Sequence, residues 1–205
     1  MHIVVFGASG GTGSHTVHHA ASAGHQVTAV TRSPHTFPGG GALHNLVVPD
    51  LNVPGAIDHV VRDQDAVISA LGTHAKGPVS VCTDGTRSIL TAMERTGTRR
   101  LIAVSAHGAA ETHDRSLYSL ALWATLADKM RDKEAMERLI QDSDVDWTIV
   151  RPPALNDKPG QRSYRTGTDL KIRLTSAISR TDLGDFLVRE AQSPAYLHRF
   201  ARIAA

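Results

Sequence analysis

The chain has 205 residues, 41% of them hydrophobic, and carries a net charge of only +2. That much apolar content supports one full α/β core, while so small a basic excess excludes an electrostatic footprint for nucleic acid, isolated pairs such as Arg99-Arg100 notwithstanding. A single cysteine, Cys82, rules out an internal disulfide and suits a cytoplasmic chain, and no run approaches the roughly 18 apolar residues of a membrane span.

The first element is the most informative. Ile3 to Phe6 is a short β-branched run that ends in Gly7-Ala8-Ser9-Gly10-Gly11-Thr12-Gly13 and passes into a helical stretch, Ser14 to Ala23. Such a run predicts a buried parallel strand turning through a glycine loop into a helix. Gly7, Gly10 and Gly13 have the G-x-x-G-x-x-G spacing of a dinucleotide site: one glycine for the turn, one for close approach to a pyrophosphate, one for helix–strand packing. The helix N-terminus adds free N–H groups and a positive dipole end.

Gly24 stands where a C′ glycine ends the helix, and Gln26 to Thr31 predicts the second strand. A Pro/Gly-rich loop over 37–41 leads to a third strand at His44 to Val48. Asn52 is expected to cap a helix starting at Val53-Pro54, with Ile57, Val60 and Val61 buried. Asp65 to Ala70 is a fourth strand ending in Leu71-Gly72. Thr83 to Thr96 is a helix stopped by Gly97, and Leu101 to Ser105 is the fifth strand. A polar loop over 106–116 precedes a long helix, Leu117 to Asp142, whose first half is apolar nearly all round. Trp147 to Val150 is a sixth strand, ended by Arg151-Pro152-Pro153. Residues 154–175 are expected to form hairpins and loops over the sheet, and Thr181-Asp182 to cap a last helix burying Leu183, Phe186, Leu187 and Ala191. Strands alternating with helices in this way predict a single Rossmann-type domain over 1–205, built on a doubly wound parallel sheet, with elements at about 106–131 and 154–175 covering a substrate.

Several motifs occur in order: the glycine loop, Thr31-Arg32, Asp65-Ala66-Val67-Ile68, Leu71-Gly72-Thr73, Ser105-Ala106, Pro152-Pro153 and Asp182-Leu183-Gly184. In these the chain resembles the atypical short-chain dehydrogenase/reductases, above all the NADPH-dependent biliverdin-IXβ reductase / flavin reductase group, with NmrA-like NAD(P)-binding proteins next. The resemblance implies NADP(H), with phosphates on Gly7, Ser9, Gly10, Gly11 and Thr12, the ribose 2′-phosphate on Arg32, and the adenine edge on Asp50 and Leu51. It further places Ala70, Leu71 and Gly72 along the central cofactor, Arg87 on the following helix, Ser105 at the active-site serine position, and Pro153, Ala154 and Leu155 beside the nicotinamide. Lys133 fits the lysine of many short-chain reductases. Two departures stand out: Ala154 replaces a histidine of the biliverdin reductase, and Lys129 occupies the tyrosine position of Tyr-x-x-x-Lys.

Each candidate has a plainer reading beside it. Ser105 is a catalytic residue or a serine satisfying a loop N–H; Lys133 is catalytic or a solvated helix lysine; Asp50 reads adenine or caps a turn. His15, His18 and His19 share a helix face, but no carboxylate or cysteine accompanies them in sequence, so no metal is expected. His107 is an acid or base facing the substrate, or a loop residue. The stretch 117–123 is a core or dimer contact, or an aromatic wall over the nicotinamide. The expected protein is therefore a cytoplasmic NADPH-dependent reductase, monomer or homodimer, acting on a small conjugated or aromatic molecule such as a flavin, quinone or tetrapyrrole. It has no nucleic-acid or membrane partner. The alternatives are an NmrA-like sensor without turnover and an isomerase or dehydratase on the same scaffold.

Overall fold

Alternation within single strands sets the layers of this protein. In β1 (His2–Phe6), Ile3 and Val5 face one apolar cluster while Val4 and Phe6 face another, and all four are fully buried. A strand buried on both faces belongs at the centre of a parallel sheet. The computed structural model describes residues 1–37, 43–114 and 116–205, and places β1 there. On one side of it lie β2 (Gln26–Thr31) and β3 (Leu43–Val47). On the other lie β4 (Ala66–Ser69), β5 (Arg100–Val104), β6 (Asp146–Arg151), β10 (Arg199–Ala204) and β8 (Arg165–Gly167). Every pair is parallel except β8 with β10.

Helices cover both faces. α1 (Gly11–Ser22) and α5 (Arg180–Gln192) supply Val17, Ala20, Leu183, Phe186 and Leu187 to the cluster under Ile3 and Val5. α2 (Asp58–Val61), α3 (Val81–Thr96) and α4 (Leu117–Gln141) supply Val60, Ile89, Met93, Met136 and Ile140 to the other. The strand order reverses between β1 and β4, so the doubly wound expectation holds and the crevice at their carboxyl ends is where such sheets bind ligands.

Several boundaries depart from the sequence reading. The helix expected from Val53 is only the single turn of α2, because Gly55 sits at φ 75° and interrupts it; Asn52 is no cap, and its side chain accepts from Ser88 Oγ. Residues 38–41 of the predicted Pro/Gly loop lie outside the described residues. The 154–175 segment makes no hairpin among the described residues. β7 (Ala154–Asn156) instead pairs in parallel with β9 (Ala177–Ser179), and β8 lies antiparallel to β10. Neither β9 nor β10 was expected. α5 begins at Arg180, with Ser179 as its cap: Ser179 Oγ accepts from the Asp182 N–H at 2.9 Å. In the last turn of α5, Glu190 accepts from the Ala195 and Tyr196 N–H groups and pairs with Arg100, which turns the chain back into β10.

Candidate functional site

The turn and packing roles expected of the first and third glycines are met in the loop. Gly7 adopts φ 73°, and a Cβ there would lie 2.7 Å from the Ala70 carbonyl oxygen, so only glycine lets the ends of β1 and β4 meet. At Gly13 a Cβ would lie 2.1 Å from the Gly7 oxygen, which makes it the packing glycine. Ala8 donates to Val30 O, Gly10 to Gly7 O and Ser14 to Gly10 O, and these bonds fold the loop. Among the described residues nothing accepts from the N–H of Ser9, Gly11, Thr12 or Gly13, and α1 carries no acid in its first turn. Four free donors at a positive helix end fit a phosphate group.

The remaining cofactor candidates lie on both sides of this cradle. Arg32 follows β2 in an exposed position, and no carboxylate pairs with it among the described residues. Asp50 accepts from the Asn52 N–H at 2.9 Å, so it caps a turn, and it remains exposed. Leu51 and Arg87 line one shallow hollow with Pro54 and Ile57, and Arg87 forms an exposed ion pair with Asp84 on its own helix. Ala70, Leu71 and Gly72 run out of β4, while Pro153, Ala154 and Leu155 run out of β6 into β7.

At the crevice floor, Ser105 comes one residue after β5, its N–H bonded to Val150 O at 2.8 Å. Its side chain is buried and its Oγ has no partner. A buried hydroxyl left unpaired costs about 1–3 kcal/mol, so its persistence asks for a reason. Lys133, on α4, reaches the same strand ends: its Nζ donates to Leu71 O at 3.0 Å and to Val104 O at 2.6 Å. Two of its three protons are thereby committed to holding β4 and β5 together. The residue before Lys133, Asp132, accepts from the Cys82 and Thr83 N–H groups and so caps α3. Cys82 itself lies against Leu71 O, its thiol pKa raised by burial.

Residues 106–114 form a tied loop rather than a free one. His107 donates its N–H to Pro152 O, Trp123 Nε1 donates to Gly108 O at 2.9 Å, and the Trp123 ring stacks on His113. Tyr118 packs beside His107 with centroids 5.4 Å apart. The stretch 117–123 is split between core and surface: Tyr118 and Ser119 are buried, whereas Leu117 is 72% and Leu120 55% exposed. α4 is broken at Leu126, where φ is −130°, so Tyr118 and Lys133 stand on separate helical segments. Among the described residues no three metal-ligating side chains converge; His15 lies against Thr181 Oγ1 instead.

No residue spacing announces the ion-pair cluster around Arg151. Arg151, fully buried at the end of β6, lies between Glu137 of α4 and Glu111 of the 106–114 loop, with its guanidinium carbon 3.7 Å from the centre of the Phe200 ring. Its Nε and one terminal nitrogen meet the two Glu137 oxygens at 2.9 and 2.7 Å. Burial alone would lower its pKa, but the hydrogen bonds it donates to Glu137 and Glu111 prevail and hold it above the usual arginine value.

Burial, with help from Arg202, pushes the pKa of His107 down to about 4. The native state then binds fewer protons than the unfolded chain between pH 4 and pH 6.5, so His107 withdraws stability as the pH falls through that window. Urea titrations should show the parent losing about 1–2 kcal/mol more than His107→Gln between pH 7 and pH 4.5. Parallel curves would mean that His107 is not held neutral by its surroundings.

A family described as NAD(P)H-binding matches residues 7–194. The structure also resembles solved ones along its whole length. A Burkholderia pseudomallei protein provisionally named as exported is 28% identical, with 100% of each chain covered and a TM-score of 0.80. ChuY, an anaerobilin reductase from Escherichia coli O157:H7, is 21% identical over 99% of this chain and 96% of its own, also at 0.80. SP1627 of Streptococcus pneumoniae, provisionally named an NADH-flavin reductase, is 20% identical over 100% and 99%, at 0.80. The last two likenesses are of fold. No described helix is long and apolar enough to cross a membrane.

Proposed function

Because the chain belongs to the NAD(P)H-binding family, we propose that it is an NADPH-dependent reductase that passes hydride to a flat, conjugated acceptor such as a flavin, a quinone or a tetrapyrrole. The observation that carries this reading is Ser105: a buried hydroxyl without a partner, at the carboxyl end of a central strand, in the crevice that the glycine cradle opens onto. The nicotinamide supplies the hydride when bound, and the chain's own part is to bind, orient and exclude water. The free N–H groups of Gly11 to Gly13 hold phosphates, Lys133 fixes the strand ends that carry Leu71 and Ser105, and Ser105 offers a hydrogen bond to the acceptor. The names of ChuY, an anaerobilin reductase, and of SP1627, provisionally an NADH-flavin reductase, support this class of acceptor. A cytoplasmic site, where NADPH is abundant, goes with the reading.

The choice of NADPH rests on Arg32. An NAD-selective site places an acidic residue near the end of the second strand, whereas this chain has no Asp or Glu before Asp50 and has an arginine there. A guanidinium offers forked donors and a permanent charge to a phosphate. Titration should show tighter binding of NADPH than of NADH, with the difference largely lost in Arg32→Ala; a charge-assisted contact of about 1.5–3 kcal/mol corresponds to roughly 10- to 100-fold. Equal affinity of the parent for both dinucleotides would overturn this. The decisive assay is NADPH consumption against flavins, quinones and ketones.

One observation favours a second reading, a dinucleotide-binding sensor without turnover. Lys129 stands where short-chain reductases have their tyrosine, and the Lys133 ammonium is taken up by two main-chain carbonyls. Tight NADPH binding with no acceptor reduced would select it.

A further inference from the structure

Two short strands end side by side at the glycine cradle. In the β7–β9 pair Asn156 lies opposite Ser179, so the next residues on each strand, Asp157 and Arg180, emerge together. Arg180 Nη1 donates to Asp157 Oδ1 at 2.7 Å. Its side chain crosses the face of Gly11: a Cβ built there would lie 2.6 Å from Arg180 Cδ and 2.8 Å from Nε. The absence of a side chain at Gly11 is thus what lets Arg180 reach the first turn of α1.

That position is electrostatically adverse for a guanidinium. The first turn of α1 has free N–H groups and no acid, and a helix N-terminus repels a cation. Asp157 offsets the charge only weakly, because its side chain is 79% exposed and a pair of this kind contributes little. Arg180 is itself only 25% exposed and anchored from behind, since Ser179 caps α5 and Asp182 holds the Gln161 and Arg162 N–H groups. A guanidinium fixed beside N–H groups that no protein atom accepts among the described residues, with a weak and solvated partner, is arranged for an anion between them.

We propose that Arg180 is a further cofactor-binding residue, which Asp157 holds until the dinucleotide pyrophosphate arrives and draws the guanidinium onto itself. The proposal rests on the dinucleotide reading above and adds a contact to it. It also ties the 154–160 segment to the occupancy of the site, because the residue released is Asp157.

Calorimetric titration of the purified chain tests it with four probes: NADPH, NADH, ADP-ribose and adenosine 2′-monophosphate. In Arg180→Met the affinity for NADPH, NADH and ADP-ribose, which share the pyrophosphate, should fall by a similar factor of roughly 10 to 100. Binding of adenosine 2′-monophosphate, which lacks it, should stay within about twofold of the parent. This separates Arg180 from Arg32, whose loss should affect NADPH and adenosine 2′-monophosphate alone. In Asp157→Asn, where the competing carboxylate is gone, all three pyrophosphate ligands should bind up to about fivefold tighter. A melting curve of each variant without ligand confirms that it is folded. If Arg180→Met binds NADPH and NADH as the parent does, or loses NADPH alone, or if Asp157→Asn weakens binding, the assignment is wrong. Failure of the parent to bind any dinucleotide would instead sink the dinucleotide reading itself.

Discussion

Arg151→Met should unfold in urea with a loss of about 3–5 kcal/mol, a large part of the stability of a domain of this size. Methionine fills much of the arginine's volume, so the loss is one of charge rather than of packing. Glu137 is 1% exposed and takes two hydrogen bonds from Arg151; without them it is a carboxylate in the core with nothing to compensate it. Glu111 behaves differently, because its side chain is 57% exposed and water can replace the arginine. Glu111→Gln should therefore cost no more than about 1 kcal/mol. The two experiments separate a buried ion pair from a surface one that share a single guanidinium. A second change makes the argument sharper. Replacing both partners, Arg151→Met with Glu137→Leu, removes the stranded charge and should recover most of the loss, since apolar substitutes for a buried pair are often neutral or better. If the single variant loses less than about 1 kcal/mol, or the double variant is worse than the single, the pair does not hold α4 to β6 in this way.

The same residue shows where sequence reading stops. The glycine loop, the alternating elements and the stop at Gly97 were legible because each is settled by near neighbours: a left-handed glycine at φ 78°, or a β-branched run four or five residues long. Arg151 is also in plain view, just before Pro152-Pro153. Its partners, however, come from α4 and from the loop after β5, at separations of 14 and 40 residues, and no spacing announces them. β10 was missed for a related reason. Its charged and apolar residues, Arg199 to Ala204, make a strand only because β6 offers an edge some fifty residues earlier in the chain. The opposite error occurred after Asn52, where Ile57, Val60 and Val61 suggested a full helix; a single turn buries all three. At the site, Ser105 was found from its place at a strand end, but the loss of its partner and the tethering of Lys133 to Leu71 and Val104 are tertiary facts. Arg180 was passed over because it looks like an ordinary first residue of a helix, and only the β7–β9 register brings Asp157 to it.

Ser105→Ala should slow hydride transfer roughly 10- to 1000-fold, the range for losing one orienting or stabilising donor, while NADPH affinity stays within about twofold. The separation is expected because the donors proposed for the phosphates lie on the α1 loop, whereas Ser105 follows β5. The kind of acceptor follows from what surrounds the serine. Reducing a simple ketone develops a basic alkoxide, which needs a positioned proton donor; with Lys129 at the usual tyrosine position, that donor is missing. His107 does not replace it, since a group whose pKa lies near 4 carries no proton to give at neutral pH beyond that of the neutral ring. Tyr118 is buried, with its pKa raised by that burial, and it sits on the far side of the break at Leu126 from Lys133. Hydride added to a flavin or a quinone leaves an anion spread over the ring system, for which a hydrogen bond from Ser105 suffices and a matched acid matters less. Turnover should accordingly be seen with flavins or quinones and be slight with unactivated ketones, in an assay that follows NADPH absorbance under single-turnover and steady-state conditions. The two regimes matter, because an effect confined to steady state would point to product release instead of chemistry. Efficient ketone reduction by the parent, or a Ser105→Ala variant as fast as the parent in single turnover, would remove the serine from the reaction. Tight NADPH binding with no acceptor reduced would leave the crevice as a sensing site, with the unpartnered Oγ waiting for a ligand that is bound and not transformed.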